Sequence, residues 1–336
     1  MTMLTLGDLA TSYQQKLHSS RLKHQLARLT DEMATGRVSD LRKATGGHFG
    51  TLGSLDHQLG SLGAYTTAGK EAALFLGTLQ EALGTIHEGA GKLSPVMLQA
   101  SDSAHASFIS ATAADSRAQF QSVVSALNSH VADRTLLGGA ATGGPALASS
   151  ETMLADLSTA IAGLTTAADI ETAVDDWFDL AGGGFETVGY LGSTTTLAPF
   201  RVGQHEAVDM SLTAADAEIR DFLKGYAMAS LIDLGALATE PGEQAILLTR
   251  AGEKLFNANA TLAEVRGRIG SAEAEIDTAL ARNASATSAL ELARNEIVAA
   301  DPYQTAVDLE AAQLQLESLF TITARLSRLT LTEFIR

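Results

Sequence analysis

Residues 25–40 read QLARLTDEMATGRVSD. Leu22, Leu26, Leu29 and Met33 run into and through this stretch in steps of 4, 3 and 4, so they line one narrow apolar stripe on a helix. The stripe stops at Thr35-Gly36, with Gly36 where a left-handed C-cap would sit. The spacing predicts a helix from about Asp8 to Thr35. The residues that follow, KATGGHFGTLGS, offer no apolar partner, and Gly46 and Gly47 mark a joint. The partner must come from elsewhere in the chain.

The other end of the sequence supplies one. Leu309, Ala312, Leu316, Leu319, Thr323 and Leu326 keep 3, 4, 3, 4, 3 spacing, and Phe334 closes the run. Pro302 separates this segment from a longer seam, Leu262, Val265, Ile269, Ala272, Ile276, Ala279, Asn283, Ala286, Leu290, Ala293, Ile297 and Ala300, again in 3, 4 steps. Such a repeat specifies helices that supercoil on each other. Alanine at alternate positions permits close approach, and Asn283 is a polar intrusion of the kind that fixes register. Each terminal helix carries a seam without a local partner, so the economical solution pairs them. The chain then leaves along one helix, builds its middle at the far end and returns along another, as a rod.

Between the seams, Leu52, Leu55, Leu59 and Leu62 begin a second helix, expected to reach about Glu88 and to break at Pro95. A third covers roughly 102–131, with Phe120, Val123, Leu127 and Val131 on one face. RTLLGGAATGGPAL (134–147) reads as loop. Short helices are expected near 150–163 and 167–181. GGGFETVGYLG, LAPFRVG and EAVDMSLT then alternate apolar and polar residues like short strands. Thr213 is placed as the N-cap of a helix to about Leu237. The expected fold class is mainly α: an elongated rod of long coiled-coil-like helices with N- and C-terminal helices paired, plus a small inserted α/β domain. The expected domains are residues 1–45 with 301–336, a terminal inner-tube domain; 46–148 with 213–300, a helical bundle; and 149–212, the insertion.

Composition narrows the function. The chain of 336 residues carries net charge -16, with 39 acids against 23 bases, which argues against nucleic acid as a partner. Residues 1–45 hold 7 Lys/Arg and 4 Asp/Glu, whereas residues 151–250 hold 4 and 16. An acidic middle facing solvent and ends buried in something else fit that contrast. Cysteine is absent, so neither disulfides nor thiol chemistry are expected. MTMLTLGDLA lacks a charged n-region and a long apolar core, so no cleaved signal peptide is expected. No run approaches the roughly 20 apolar residues of a membrane span.

Catalytic patterns are thin. AYTTAGKE (64–71) lacks the first glycine of a phosphate loop and lies in a helical pattern. GGG (182–184) lacks the third glycine of a dinucleotide fingerprint. The eight histidines, among them His18 and His24, are scattered. Asp175, Asp176 and Asp179 beside Trp177 could be paired carboxylates, but a solvated helix face with Trp177 and Phe178 tucked inward explains them better. Asn259-Ala-Thr261 and Asn283-Ala-Ser285 match the glycosylation pattern but fall inside helix. No residue is assigned to catalysis, and neither a metal nor a cofactor is expected.

Three segments carry a resemblance. Leu29-Thr-Asp-Glu-Met-Ala-Thr-Gly-Arg-Val-Ser-Asp40, Arg134-Thr-Leu-Leu-Gly-Gly139 with Pro145, and the run from Asp308 to Leu329-Thr-Leu-Thr-Glu-Phe-Ile335 resemble, in this order, the flagellin superfamily and within it the hook-filament junction branch. Thr135 and Leu137 replace the aromatics usual in the second segment. Ser39–Thr45 departs from the family's Pro-Ser-Asp-Asp-Pro-like turn. The resemblance implies a structural subunit whose paired terminal helices form the inner tube of the bacterial flagellum. It implies export through the flagellar type III apparatus to an extracellular position. It also implies partners: further copies of itself, a hook-side junction protein, flagellin, and an export chaperone on the C-terminal helix. The assembly residues are then Leu22, Leu26, Leu29, Met33, Leu309, Leu316, Leu319, Leu326 and Phe334, with Gly36, Gly46, Gly47 and Pro302 as boundaries. Bulk filament flagellin is the alternative within the class, although its Arg-Ile-Asn-Ser-Ala-like motif and Asp-Asp pair do not follow Gly36. The readings from other classes are an enzyme with a site in the acidic middle domain and an unrelated helical scaffold.

Overall fold

The computed structural model describes the backbone of residues 6–101, 105–209 and 211–334, and side chains within these except at 6–9, 11–12, 43–44, 101 and 326–334. The chain is mainly α. The helices are α1 (Leu6–Thr35), α2 (Leu41–Ala44), α3 (Gly50–Leu98), α4 (Ala106–Leu127), α5 (Ser150–Ala160), α6 (Ala167–Asp179), α7 (Ala217–Asp233), α8 (Pro241–Val298) and α9 (Pro302–Phe334). The other described elements are a 3-10 turn (Gln99–Ser101), a π turn (Phe185–Gly189) and two antiparallel hairpins of two-residue strands, β1 (His130–Val131) with β2 (Arg134–Thr135) and β3 (Phe200–Arg201) with β4 (Ala207–Val208). The chain divides into a terminal unit, up to Leu62 and from Ser285 onward, and a central unit, Gly63–Ala284. Helices α3 and α8 contribute to both.

In the central unit, α3 and α8 run antiparallel, and small residues set their approach. A Cβ on Gly252 of α8 would lie 2.8 Å from Met97 Cβ and 3.2 Å from Ser94 O of α3. Gln80 and Arg266 exchange two hydrogen bonds across the pair, at 2.7 and 3.1 Å. Their buried faces, Leu76, Leu79, Leu83, Ile86 and Met97 on α3 and Leu255, Leu262, Val265, Ile269 and Ile276 on α8, join one core with α4, α5, α6 and α7. Helix α7 is buried almost throughout, from Phe222 to Ile232, because α4 and α6 pack on it as well. Gly225 admits α8, since a Cβ there would meet Ala251 O and Leu255 Cβ at 3.2 Å.

Several local expectations change. Helix α3 does not break at Pro95 but continues to Leu98. Proline costs a helix roughly 3 kcal/mol, and the burial of Leu93, Ser94 and Met97 around it offsets that. Residues 182–192 do not form a strand. Gly183 and Gly184 let the chain close on Trp177, and Phe185–Gly189 winds into a single π turn. Trp177, Phe178, Phe185 and Tyr190 form a chain of ring contacts with centroids 4.7 to 6.2 Å apart, and Trp177 Nε1 donates to Asp156 Oδ2 at 2.6 Å. The N-cap of α7 is Asp216, not Thr213; the Thr213 N–H instead donates to Asp216 Oδ2 at 2.7 Å. Asn283 does not meet another seam residue. It is buried, and its amide donates to Val202 O at 2.9 Å, tying the β3–β4 hairpin to α8.

The Asp175 and Asp179 region resolves into ion pairs. Along α6, Glu171, Asp175 and Asp179 stand one turn apart. Arg250 and Lys254 of α8 meet Glu171 at 2.5 and 3.1 Å, and Lys254 meets Asp175 at 3.0 Å. Lys224 and Arg220 of α7 meet Asp179 at 2.6 and 3.3 Å. Burial pushes the Glu171 carboxyl up, but the hydrogen bonds from Arg250 and Lys254 outweigh it and hold it below the usual carboxylate range. A depressed carboxyl contributes stability above its unfolded value near 4.3 and loses it as pH falls through the folded value. Glu171→Gln is therefore expected to lower stability at pH 7 by about 1 kcal/mol, with the deficit shrinking as pH falls from about 4.3 through the lower, folded value of the carboxyl. Denaturant titrations of both proteins across that range check this.

Candidate assembly surface

Helix α1 packs against α9 within the terminal unit. The two are antiparallel. The end of α1 meets the start of α9 through the bridge Arg37↔Ala299, and further along Lys23 Nζ lies 6.0 Å from the centre of the Phe320 ring. This register brings the stretch Leu22–Leu29 level with Leu309–Leu316.

The helix ends are built for this meeting. Gly36 has φ +67°, and its N–H donates to Glu32 O at 2.9 Å, a left-handed cap that turns the chain out of α1. Val38 N donates to Val298 O and Ala300 N to Gly36 O, both at 2.9 Å, so the two connectors form a minimal antiparallel ladder. Pro302 occupies the first position of α9, where its missing N–H costs nothing. Asp301 Oδ1 caps the helix by accepting from the N–H groups of Tyr303 and Gln304 at 2.9 and 3.2 Å. Gly46 and Gly47, at φ +58° and +82°, take the left-handed backbone that ends α2 before α3 begins.

Of the stripe residues on α1, Leu22 and Leu29 are buried and Leu26 is half-buried. Met33 is 47% exposed, and the inward position at that level belongs to Glu32, which is 5% exposed. Glu32 Oε1 accepts from Arg28 Nη1 at 2.9 Å and from the Ser39 N–H at 3.0 Å, which makes its burial tolerable. On α9, Ala312 and Thr305 are buried, and Leu309, Leu316 and Leu319 are half-buried. The side chains of Leu326 and Phe334 lie outside the described residues.

Pairing leaves a second apolar face open on each helix. Tyr303, Val307 and Leu314, spaced 4 and 7, lie on the opposite side of α9 from Leu309, Ala312 and Leu316, and are 79%, 44% and 63% exposed. Ile322 stands beside that stripe and is exposed, whereas Phe320, also exposed, lies nearer the inner stripe, over Lys23 of α1. Tyr13 and Leu17 stand likewise on the far side of α1 from Leu22 and Leu29. Two shallow grooves run beside the pair where the helices meet, one of about 300 Å³ lined by His18 of α1 and Leu314, Leu319 and Ile322 of α9, the other of about 540 Å³ lined by Leu17, His18 and Arg21 of α1 and Leu319 of α9. Exposed Glu310 stands between Val307 and Leu314 on this side, so the stripe is apolar but interrupted. The sequence carried the signal: 303, 307 and 314 repeat the helical spacing half a turn away from the leucines.

Among the described residues no group of three or more His, Asp or Glu side chains is placed to hold a metal ion. No described helix is long and apolar enough to cross a membrane. The chain matches no family model and no curated protein sequence. Among solved structures it is similar to that of a proposed flagellar hook-associated protein from Vibrio parahaemolyticus, with a TM-score of 0.50 and 11% identity, over 72% of this chain and 94% of that chain. At this identity the likeness is one of fold.

Proposed function

We propose that the chain is a structural subunit of the bacterial flagellum that joins hook to filament, of the kind called hook-associated protein 3. The observation that carries the reading is a paired set of terminal helices that keeps an apolar stripe, Tyr303–Val307–Leu314, on its outer side. A pair that has satisfied its inner seam and still presents apolar surface is suited to associate with further copies. The fold shared with a flagellar hook-associated protein supports the setting. In this reading the outer stripe meets neighbouring copies, a hook-side junction protein and flagellin. Before export, a chaperone covers the C-terminal helix. The subunit travels through the flagellar type III apparatus, and it acts without catalysis, cofactor or metal.

A deletion strain tests this. Loss of the gene is expected to leave hooks intact while filament subunits accumulate in the medium, seen by electron microscopy of cells and immunoblotting of supernatants. Normal filaments on the deletion strain would overturn the junction role.

A further inference from the structure

The leucine stripes of α1 and α9 pose a problem of alignment. Both repeat in steps of 3 and 4, so a slip of seven residues, about 10 Å along the helix, again sets leucine against leucine. Leu29 would meet Leu316, and Leu26 would meet Leu319. The seam alone does not choose one register. Asn283, the polar residue on the repeat, is occupied with the Val202 carbonyl and does not act on this pair.

We infer that the joint between Gly36–Ser39 and Val298–Asp301, held by the buried carboxylate of Glu32, sets the register of the α1–α9 pair, with Glu32 as its positioning residue. The connectors meet through two backbone hydrogen bonds, Val38 N to Val298 O and Ala300 N to Gly36 O. These form at one alignment only. Glu32 fixes the shape of the α1 connector, because the same Oε1 holds Arg28 on its own helix and the backbone N–H of Ser39 beyond the turn. A slip by seven residues breaks both backbone bonds. Val298, Ala300 and Thr305, at and just beyond the connector, are all buried at the observed register. Glu32 then keeps its burial while its connector loses the strand that braces it, a costly state for a carboxylate. Apolar stripes supply the pairing energy, and a polar joint at one end supplies the alignment.

The register can be read as a distance. The chain has no cysteine, so nitroxide labels can be placed through Gln25→Cys and Tyr303→Cys, both at exposed positions. Pulsed dipolar spectroscopy on dilute full-length protein, below any assembly, gives the separation along the pair. A single distance is expected in the Glu32-containing parent. Glu32→Gln, which keeps an acceptor, is expected to retain it. Glu32→Leu, which extends the apolar stripe and removes the acceptor, is expected to add a second population displaced by about 10 Å. A single unchanged distance in Glu32→Leu overturns the inference. Loss of any defined distance in Glu32→Leu also overturns it, because the joint would then hold the helices together without aligning them. The labels report on the unassembled chain, so a failure of the flagellar reading leaves this result intact.

Discussion

The double substitution Val307→Lys and Leu314→Lys is expected to abolish assembly while leaving the α1–α9 pair folded. Both side chains are exposed in the single chain, so their loss removes little internal packing, and surface changes of this kind usually stay within about 0.5 kcal/mol. In the proposed assembly the same two residues are covered. Each buried Val or Leu contributes about 1.5–3 kcal/mol, so removing both costs about 3–6 kcal/mol per subunit, two to four orders of magnitude in critical concentration. The lysines also place charges that the interface would have to desolvate. Sedimentation velocity across a concentration series measures the shift, and circular dichroism confirms that helix content is kept. Unchanged assembly by the double variant would remove the outer stripe from the interface.

Gly184→Ala is expected to be the most destabilising single-methyl change in the central unit. A Cβ at Gly184 would overlap the indole nitrogen of Trp177, which donates to Asp156 at 2.6 Å and meets Phe178 and Phe185 edge-on within the ring chain. Neither the indole nor the backbone can withdraw, because Phe178 and Phe185 are fully buried. Overpacking costs typically 1–3 kcal/mol, and loss of the indole hydrogen bond brings the expected total to about 3–5 kcal/mol. That is a large share of a typical domain's 5–15 kcal/mol. Gly182 is the control. It has φ +74° with open space around it, so Gly182→Ala is expected to cost only about 1–2 kcal/mol of backbone strain. Thermal or urea unfolding separates the two; equal effects would show that the indole contact is not what makes Gly184 necessary.

Helical periodicity made the frame of this fold readable. The steps of Leu22, Leu26 and Leu29, and of Leu309, Ala312 and Leu316, point to each other across the chain because a seam has to be covered. Gly36 was readable for a different reason: it follows the last stripe residues, and only glycine takes φ +67° there without strain. What could not be read depended on contacts distant in sequence. Periodicity assigns Met33 to the inner stripe. In the structure Glu32 turns inward because the connector folds back to offer the Ser39 N–H, and no local pattern announces that bond. The alternation in 182–192 imitates a strand, yet the need to enclose Trp177 draws those residues into a π turn. Pro95 was read as a break by local propensity, and tertiary burial overrides it. The outer stripe of α9 is the opposite case. Tyr303, Val307 and Leu314 were in plain view, but the stronger leucine repeat drew the reading to the inner face.

The central claim is that the outer face of the terminal helix pair is where copies meet, and side-chain footprinting tests it most directly. Hydroxyl radicals label exposed Tyr and Phe, and Tyr303 is 79% exposed in the single chain. Phe256 of the central unit, 59% exposed, serves as the reference. Mass spectrometry of the dispersed and assembled protein should show Tyr303 losing most of its labelling on assembly while Phe256 keeps its own. Labelling of Tyr303 that is the same in both states would contradict the account.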